Sequence, residues 1–277
     1  MTEWRAASVA DKLAQWRLTP VGPGFSTVSS HLQPVLRDGE PAMLKVARLE
    51  EEANGCRLLV WWDGHGAARV LEHDDRAVVL AMGGDSLVPM SVSGDDDRAV
   101  RVLCDVAAEL HAVSRRRFAE RPEGLIPLEE WFRSLFARSE TEGFYARAAS
   151  LARRLVDAPF DPADLVVLHG DLHHDNVLDF GPDLGWLAID PKFLVGHRVF
   201  DYTNILCNPN PSIAESRFDR RVELISERAG ITERALLEWT VAWTALSASW
   251  FAADGAVEDE HNALRIGVLA ERRLSRG

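Results

Sequence analysis

The stretch Val166–Pro191, VVLHGDLHHDNVLDFGPDLGWLAIDP, decides how the chain is read. It opens in the short apolar run Leu165–Leu168, which reads as a strand. His169–Asn176 then sets three histidines, two aspartates and an asparagine around the single glycine Gly170, on a turn. A second run, Asn176–Phe180, stops at Gly181-Pro182, and Trp186–Ile189 follows. The pair predicts a hairpin ending on Asp190. Asp171, Asn176 and Asp190 offer two carboxylates and an amide. Such hard oxygen donors suit magnesium, which keeps several waters and shares substrate phosphates. The hairpin brings Asn176 and Asp190 together, because one opens a strand and the other closes its partner. Asp171 lies on the same turn, five residues before Asn176, where it can face an acceptor hydroxyl. Phosphoryl transfer needs this layout, with one carboxylate toward the acceptor and an amide and a carboxylate toward metal.

These residues resemble a known family. His169-Gly170-Asp171 followed by Asn176 is similar to the catalytic loop of the aminoglycoside phosphotransferases, relatives of the protein kinases, with Gly170 where protein kinases carry arginine. Ile189-Asp190-Pro191 resembles that family's form of the aspartate-phenylalanine-glycine metal motif. Within the family the chain is most similar to the streptomycin 6-phosphotransferase and hydroxyurea-kinase branch. Leu168–Asn176, Ile189-Asp190-Pro191 with Leu194-Val195-Gly196, and Trp250 followed by Ala253-Asp254-Gly255 carry that likeness. The resemblance implies an α+β fold of two lobes, protein-kinase-like. A small antiparallel-sheet N-lobe with the hinge (residues 1–83) would precede a larger, mainly helical catalytic and substrate-binding lobe (residues 84–277). It also implies ATP, with GTP as the alternative nucleotide, and Mg2+.

Composition agrees with such an enzyme. A chain of 277 residues with 47% hydrophobic and 27% charged residues can bury a large core. The longest nearly apolar run, Val241–Ala253, is too short and too rich in Ser and Thr to span a bilayer. The first residues, MTEWRAASVADKLAQW, carry charge throughout and show no apolar signal region. Cys56, Cys104 and Cys207 are scattered and odd in number, as expected of reduced cytoplasmic thiols. A net charge of −12 argues against a nucleic-acid partner and is compatible with a cationic small-molecule substrate. Oligomeric state leaves no trace in the sequence.

Upstream of the opening stretch, Asp11–Trp16 reads as a short helix. Val21–Val28 is a loop of glycines and small hydroxyls, including Ser26 and Thr27, whose amides could approach phosphates. Asp38-Gly39 between Ser29–Leu36 and Ala42–Val46 predicts a hairpin. Lys45 stands on the second of those strands, apolar on both sides. The resemblance gives it the place of the lysine that holds the α- and β-phosphates. Such a lysine needs a carboxylate, and Arg48–Trp62 reads as a helix with Glu50, Glu51 and Glu52 in its first turn. Glu52 is the expected partner, with Glu51 and Glu50 as alternatives. Strands Arg69–Glu72 and Ala77–Met82 lead into Gly83-Gly84, where the resemblance puts an adenine-binding hinge at Ala81, Met82 and Gly83.

Beyond the hinge, helices are expected over Asp96–Val113, Pro127–Ser139, Gly143–Val156, Ser212–Ala229 and a last one capped by Thr232. Leu236, Trp239, Trp243, Leu246 and Trp250 fall on one face of that helix, mostly as core. Trp250 with Asp254 and Glu258 could instead stack on and pair with a guanidinium-bearing sugar. His169, His173 and His174 lack the convergent ligands of a zinc site. His169 is expected to support the loop through a backbone hydrogen bond, and His173 to touch the transferred phosphate. The resemblance gives Asp201 the role of holding the catalytic loop by its amides.

Overall fold

Alternate residues of one strand, Ala42, Leu44 and Val46, are fully buried on the same face, as the period of two requires. Their neighbours on the other face include Lys45, which is 2% exposed. The strand therefore has two buried faces, and a lysine on one of them must find carboxylates. The structure, a computed structural model, describes residues 7–276; the first six residues of the N-terminal segment and of the expected N-lobe, and Gly277, lie outside the described residues.

The first part runs α1 (Val9–Gln15), β1 (Thr19–Pro20), β2 (Phe25–Ser26), β3 (Ser30–Arg37), β4 (Glu40–Ala47), α2 (Glu50–Trp62), β5 (Val70–His73) and β6 (Ala77–Ala81). The strands form one antiparallel sheet of order β1-β3-β4-β6-β5, with β2 also on β3. The β3–β4 turn places Asp38 and Gly39 at positive φ (53° and 88°), the conformation that Asp-Gly supplies. One sheet face packs with α1 through Leu18, Val35, Leu44 and Val79. The other faces α2 and the rest of the chain.

The second part runs α3 (Val88–Val92), α4 (Asp96–Arg117), β7 (Ile126–Pro127), α5 (Leu128–Trp131), α6 (Arg133–Phe136), α7 (Gly143–Asp157), β8 (Leu165–Leu168), β9 (Val177–Asp179), β10 (Trp186–Ala188), β11 (Leu194–His197), α8 (Phe200–Thr203), α9 (Pro211–Ala229), α10 (Glu233–Asp254) and α11 (Val257–Leu274). β9 and β10 form the expected hairpin, and β11 lies between β7 and β8. The Thr232 hydroxyl caps α10 by accepting from the Ala235 amide at 3.1 Å. The larger hydrophobic cluster joins Leu58, Leu59, Trp62, Val78 and Leu80 to α4, α9 and α10. This cluster joins residues from both sides of position 83.

Three expectations need correction. The helix over Pro127–Ser139 is a short strand and two short helices, broken at Phe132 (φ −77°, ψ 3°). That break lets the Phe132 ring bury against Phe136, Phe200 and Trp239. The α4 helix runs four residues past Val113, to Arg117, where Arg117 donates to the Trp61 carbonyl at 2.7 Å. Glu258 is the third correction. The acidic run at 258–260 is the first turn of α11 and not a loop. Acidic side chains are stable there, at the positive end of the helix dipole.

Candidate active site

The β8 strand delivers His169 into the turn with its ring fully buried. Its Nε2 bonds the Ile189 carbonyl at 2.9 Å, and its Nδ1 accepts from the Asp171 amide at 3.2 Å. One imidazole therefore ties the catalytic turn to the end of the hairpin. Burial lowers the His169 pKa against the pull of Asp201 and Asp171, which keeps the ring neutral and able to accept. Asp201, on α8, takes the His169 and Gly170 amides at 3.1 and 2.7 Å, and its Oδ2 meets His111 Nε2 at 2.7 Å. Gly170 has φ +78°, and a Cβ there would lie 2.6 Å from Leu194 Cδ1. A side chain is excluded by both conformation and space.

The turn presents Asp171 and Asn176 side by side. The Asn176 amide donates to the Asp171 carbonyl at 2.9 Å and to its carboxylate at 3.3 Å. This orientation leaves Asn176 Oδ1 facing away from any protein donor among the described residues. Ile189 donates its amide to the Asn176 carbonyl at 2.9 Å, so the hairpin brings Asp190 to the same end. Asp190 sits at φ 59°, and its side chain is 42% exposed, open enough to reach a ligand in the cleft.

Lys45 closes the site from the sheet side. Its ammonium pairs with both Glu52 and Asp190. Burial opposes the charge, but Asp190, Cys56 and Glu52 outweigh it and hold the lysine above its ordinary pKa. Burial likewise works to raise Asp190, while Lys45 beside it holds the carboxyl below the usual range. The α2 helix can approach this closely because of Gly55, where a Cβ would stand 2.2 Å from the Pro191 carbonyl oxygen. Of the alternatives to Glu52, Glu51 lies 3.9 Å from Lys192 and Glu50 is exposed.

Three further parts border this cluster. In the glycine loop, Ser26 Oγ contacts His31 Nδ1 at 2.6 Å, and Thr27 Oγ1 accepts from the Ser30 amide at 3.0 Å. Both hydroxyls thus shape the loop. At the hinge, Ala81 donates to the Arg69 carbonyl at 3.0 Å and Gly84 to that of Asp179 at 2.7 Å. Among the described residues, the Met82 and Gly83 amides between them have no backbone acceptor. The Leu178 and Phe180 side chains pack against Gly83, leaving no room for a Cβ. His173 lies 3.7 Å from Asp171 and 3.4 Å from Asp175. Burial disfavours its charge, yet Asp175 and Asp171 raise its pKa. His174 is different: burial pushes it down to about 3, and among the described residues neither ring nitrogen has a hydrogen-bond partner.

A cavity of about 800 Å³ opens beside the turn, lined by Trp250, Asp254, Trp131, Glu130, Glu51 and Lys192. The Lys192 amide donates to the His169 carbonyl at 2.7 Å, which fixes the cavity wall to the catalytic turn. Trp131 and Trp250 meet edge to face at 5.4 Å. Glu258 does not join them; it lines a separate groove with Glu215 and His261.

The chemistry of the donor set suits magnesium. Asn176 and Asp190 offer oxygens, with Asp171 next to them, and among the described residues no three His, Cys, Asp or Glu side chains converge as a cage. Two protein oxygens, completed by water and phosphate, fit magnesium; zinc needs three or four nitrogen or sulfur ligands. Sequence reasoning missed Asn204, whose amide donates to Asp171 Oδ1 at 2.8 Å. Only its position three residues after Asp201 hinted at it, one helical turn along.

Comparison with known proteins places the chain in a family. The chain is 45% identical over 270 residues to a streptomycin 3''-kinase from Klebsiella pneumoniae, covering 94% of this chain and 98% of that one. It is 33% identical over 263 residues to a streptomycin 6-kinase from Streptomyces glaucescens, covering 90% and 84%. A crystal structure of a thermostable mutant aminoglycoside phosphotransferase, in ternary complex with ADP and hygromycin B, superposes with a TM-score of 0.63 at 12% identity, covering 95% of this chain and 97% of that one. Residues 15–255 match the family described as aminoglycoside/hydroxyurea antibiotic resistance kinase. With that match, the kinase-like fold and the catalytic turn, the chain belongs to the aminoglycoside phosphotransferase family and is an ATP-dependent phosphotransferase.

Proposed function

We propose that the protein phosphorylates streptomycin on its 3''-hydroxyl, using Mg2+-ATP, and so confers resistance to it. The observation that carries this reading is the 45% identity, along almost the whole of both chains, with a streptomycin 3''-kinase, against 33% with a 6-kinase. The cavity supports it: Asp254 beside two tryptophan rings offers charge pairing and stacking to a guanidinium group, while Glu130 and Glu51 in the same lining already face Arg133 (2.8 Å) and Lys192 (3.9 Å). A volume of about 800 Å³ is that of a site for a drug-sized ligand and far exceeds what hydroxyurea needs. The net charge of −12 favours a cationic acceptor.

In this reading the lobes divide at Gly83, and the nucleotide lies between them. The free Met82 and Gly83 amides pair with the base, over Leu178 and Phe180. Lys45, held by Glu52, exchanges its contact with Asp190 for the α- and β-phosphates, which frees Asp190 for metal. Asn176 Oδ1 and the Asp190 carboxylate would hold the magnesium. Magnesium, when bound, neutralises charge developing on the β- and γ-phosphates. Asp171 orients the acceptor hydroxyl and takes its proton as the new oxygen–phosphorus bond forms and the bond to the bridging oxygen breaks, releasing ADP. His173, 3.7 Å from Asp171 and with its pKa raised by Asp175 and Asp171 against its burial, offers a ring N–H toward the transferred phosphoryl group. His169 and Asp201 hold the turn. No helix among the described residues is long and apolar enough to cross a membrane, and the three cysteines are unpaired, so we place the enzyme in the cytoplasm, where ATP is available.

The test is ADP release with Mg2+-ATP against streptomycin, hygromycin B, choline, glucose and hydroxyurea, with the product mapped by phosphorus–proton NMR. Streptomycin should be turned over and the phosphate should sit on the 3'' position. Turnover of choline or glucose with none of streptomycin would remove the substrate assignment; phosphate on the 6-hydroxyl would remove the regiochemistry.

A further inference from the structure

The Asp171 carboxylate is gripped from a direction that no metal or nucleotide contact requires. Asn204 Nδ2 donates to Asp171 Oδ1 at 2.8 Å, shorter than the 3.3 Å bond from Asn176 to Oδ2. A carboxylate accepts only, so the NH2 end of Asn204 must face it. The Oδ1 of Asn204 then points back and accepts from Asn208 Nδ2 at 3.0 Å, and Asn208 also donates to the Asn204 carbonyl at 3.1 Å. The amide cannot flip without losing both partners.

Asn208 is anchored in turn. The Arg221 guanidinium, 1% exposed, donates to the carbonyls of Asn208 and of Ile205, the latter at 2.8 Å. Asp96 holds Arg221 through two bonds of 2.6 and 3.0 Å and itself accepts from Ser91 at 2.5 Å. A file of buried and half-buried polar groups therefore runs from the start of α4 to the proposed base. Breaking such a file leaves desolvated groups unpaired, which is why it holds its geometry. Asn204 ends the file at the cleft and is 9% exposed.

We propose that Asn204 is a positioning residue for phosphoryl transfer: it fixes the rotation of the Asp171 carboxylate so that its free lone pairs meet the acceptor hydroxyl. The torsion between Cβ and Cγ of an aspartate is broad and roughly two-fold, so a carboxylate held at one oxygen alone samples a range of directions. Donors on both oxygens remove that freedom. A small misplacement of a reacting group costs about 100-fold in rate. Asn204 makes no hydrogen bond to Asn176 or Asp190 among the described residues and lines a separate cavity of about 230 Å³ and not the one of about 800 Å³, so its loss should slow the chemical step and spare binding.

This inference rests on reading Asp171 as the acceptor-side carboxylate, and the experiment separates the two. Asn204→Ala and Asn204→Asp are made in the parent enzyme and in Asp171→Ala. Asn204→Asp keeps the volume and the acceptor for Asn208 but removes the donor. Turnover is measured with Mg2+-ATP and streptomycin, or with whichever acceptor of the panel above the parent enzyme uses, and folding is followed by thermal melting. In the parent background both variants should lower kcat about 10- to 100-fold, with KM for ATP and acceptor within about threefold. In the Asp171→Ala background neither should change the residual rate by more than about twofold. Asn208→Ala, which leaves the donor in place but loosens it, should give a smaller loss and keeps the test open should Asn204→Ala melt early. A kcat within about twofold of the parent in both Asn204 variants overturns the proposal, as does an equal loss with and without Asp171. Parent-like turnover in Asp171→Ala alone sinks the reading of the base, whatever Asn204 does.

Discussion

Lys45 is shared between Glu52 and Asp190, and each partner has a different future in the account. Glu52 should keep the lysine throughout the cycle, while Asp190 should release it to phosphate. Lys45→Met is expected to raise the KM for ATP about tenfold or more while the KM for streptomycin stays within about threefold. Initial-rate kinetics with each substrate varied in turn will check this, and an unchanged ATP KM with a raised streptomycin KM would reassign the residue to the acceptor side. Asp190→Ala is expected to lose magnesium-dependent turnover; a parent-like magnesium titration would remove it from the metal site. The sequence singled out Asp171, Asn176 and Asp190 by their spacing and Lys45 by the family resemblance, and the structure brings the four side chains to one end of the hairpin, with Lys45 paired to Asp190 and Asn176 bonded to Asp171. Its ranking of Glu52 over Glu50 and Glu51 agrees with the pairing seen. Asn204 was not legible, because an asparagine in a short helix has no periodic or motif signal, and its meaning comes only from what it touches. The likeness to the streptomycin 6-phosphotransferase and hydroxyurea-kinase branch holds, since residues 15–255 match the aminoglycoside/hydroxyurea kinase family; the proposal of the 3'' position draws instead on the higher whole-chain identity, 45% against 33%.

At the scale of elements, the strands and hairpins were the most readable part. Asp38-Gly39 and Gly181-Pro182 fix turns by backbone conformation alone, and β4 shows its two buried faces as a nearly continuous apolar run around Lys45. The segment 127–139 was not, since its apolar pattern fits one helix. The break at Phe132 is imposed by rings from α8 and α10, which no local window contains. Glu258 was grouped with Trp250 by nearness along the chain, and the start of α11 turns it into another groove. Two element contacts invite a test. Gly170→Ala would strain a positive φ and drive a methyl into Leu194. We expect a loss of about 1–3 kcal/mol in urea-unfolding stability and a fall in kcat, because the turn must shift. Gly55→Ala should push α2 off the Pro191 carbonyl and carry Glu52 away from Lys45. A raised KM for ATP with near-parent KM for streptomycin is the expected signature, and parent kinetics would show that α2 need not dock this closely.

Across the whole molecule, one hydrophobic core runs from the sheet through α2 into the helical part, so unfolding should be a single cooperative transition. Its pH dependence follows from buried histidines. Burial holds His197 below the ordinary value of 6.5, against the pull of Asp164, and the ring stacks on Trp239 at 5.7 Å. The unfolded chain then binds the proton more readily than the folded one. The stability this neutral ring contributes is full above about pH 6.5 and is lost as pH falls below it toward the folded value. His169 and His174 act in the same sense. The urea midpoint should fall from pH 7 to pH 5.5, and His197→Gln should show a shallower slope across that window; an identical slope would exclude His197 as a contributor. The central claim concerns the cleft between sheet and helices: a carboxylate on the turn faces an acceptor, while nucleotide and metal are held by other groups. The most direct measurement pairs ATP binding by calorimetry with turnover for Asp171→Ala. The expected result is ATP affinity within about twofold of the parent and a kcat lowered by about 100- to 10,000-fold. Parent-like turnover, or a loss of ATP binding as large as the loss of rate, would contradict it.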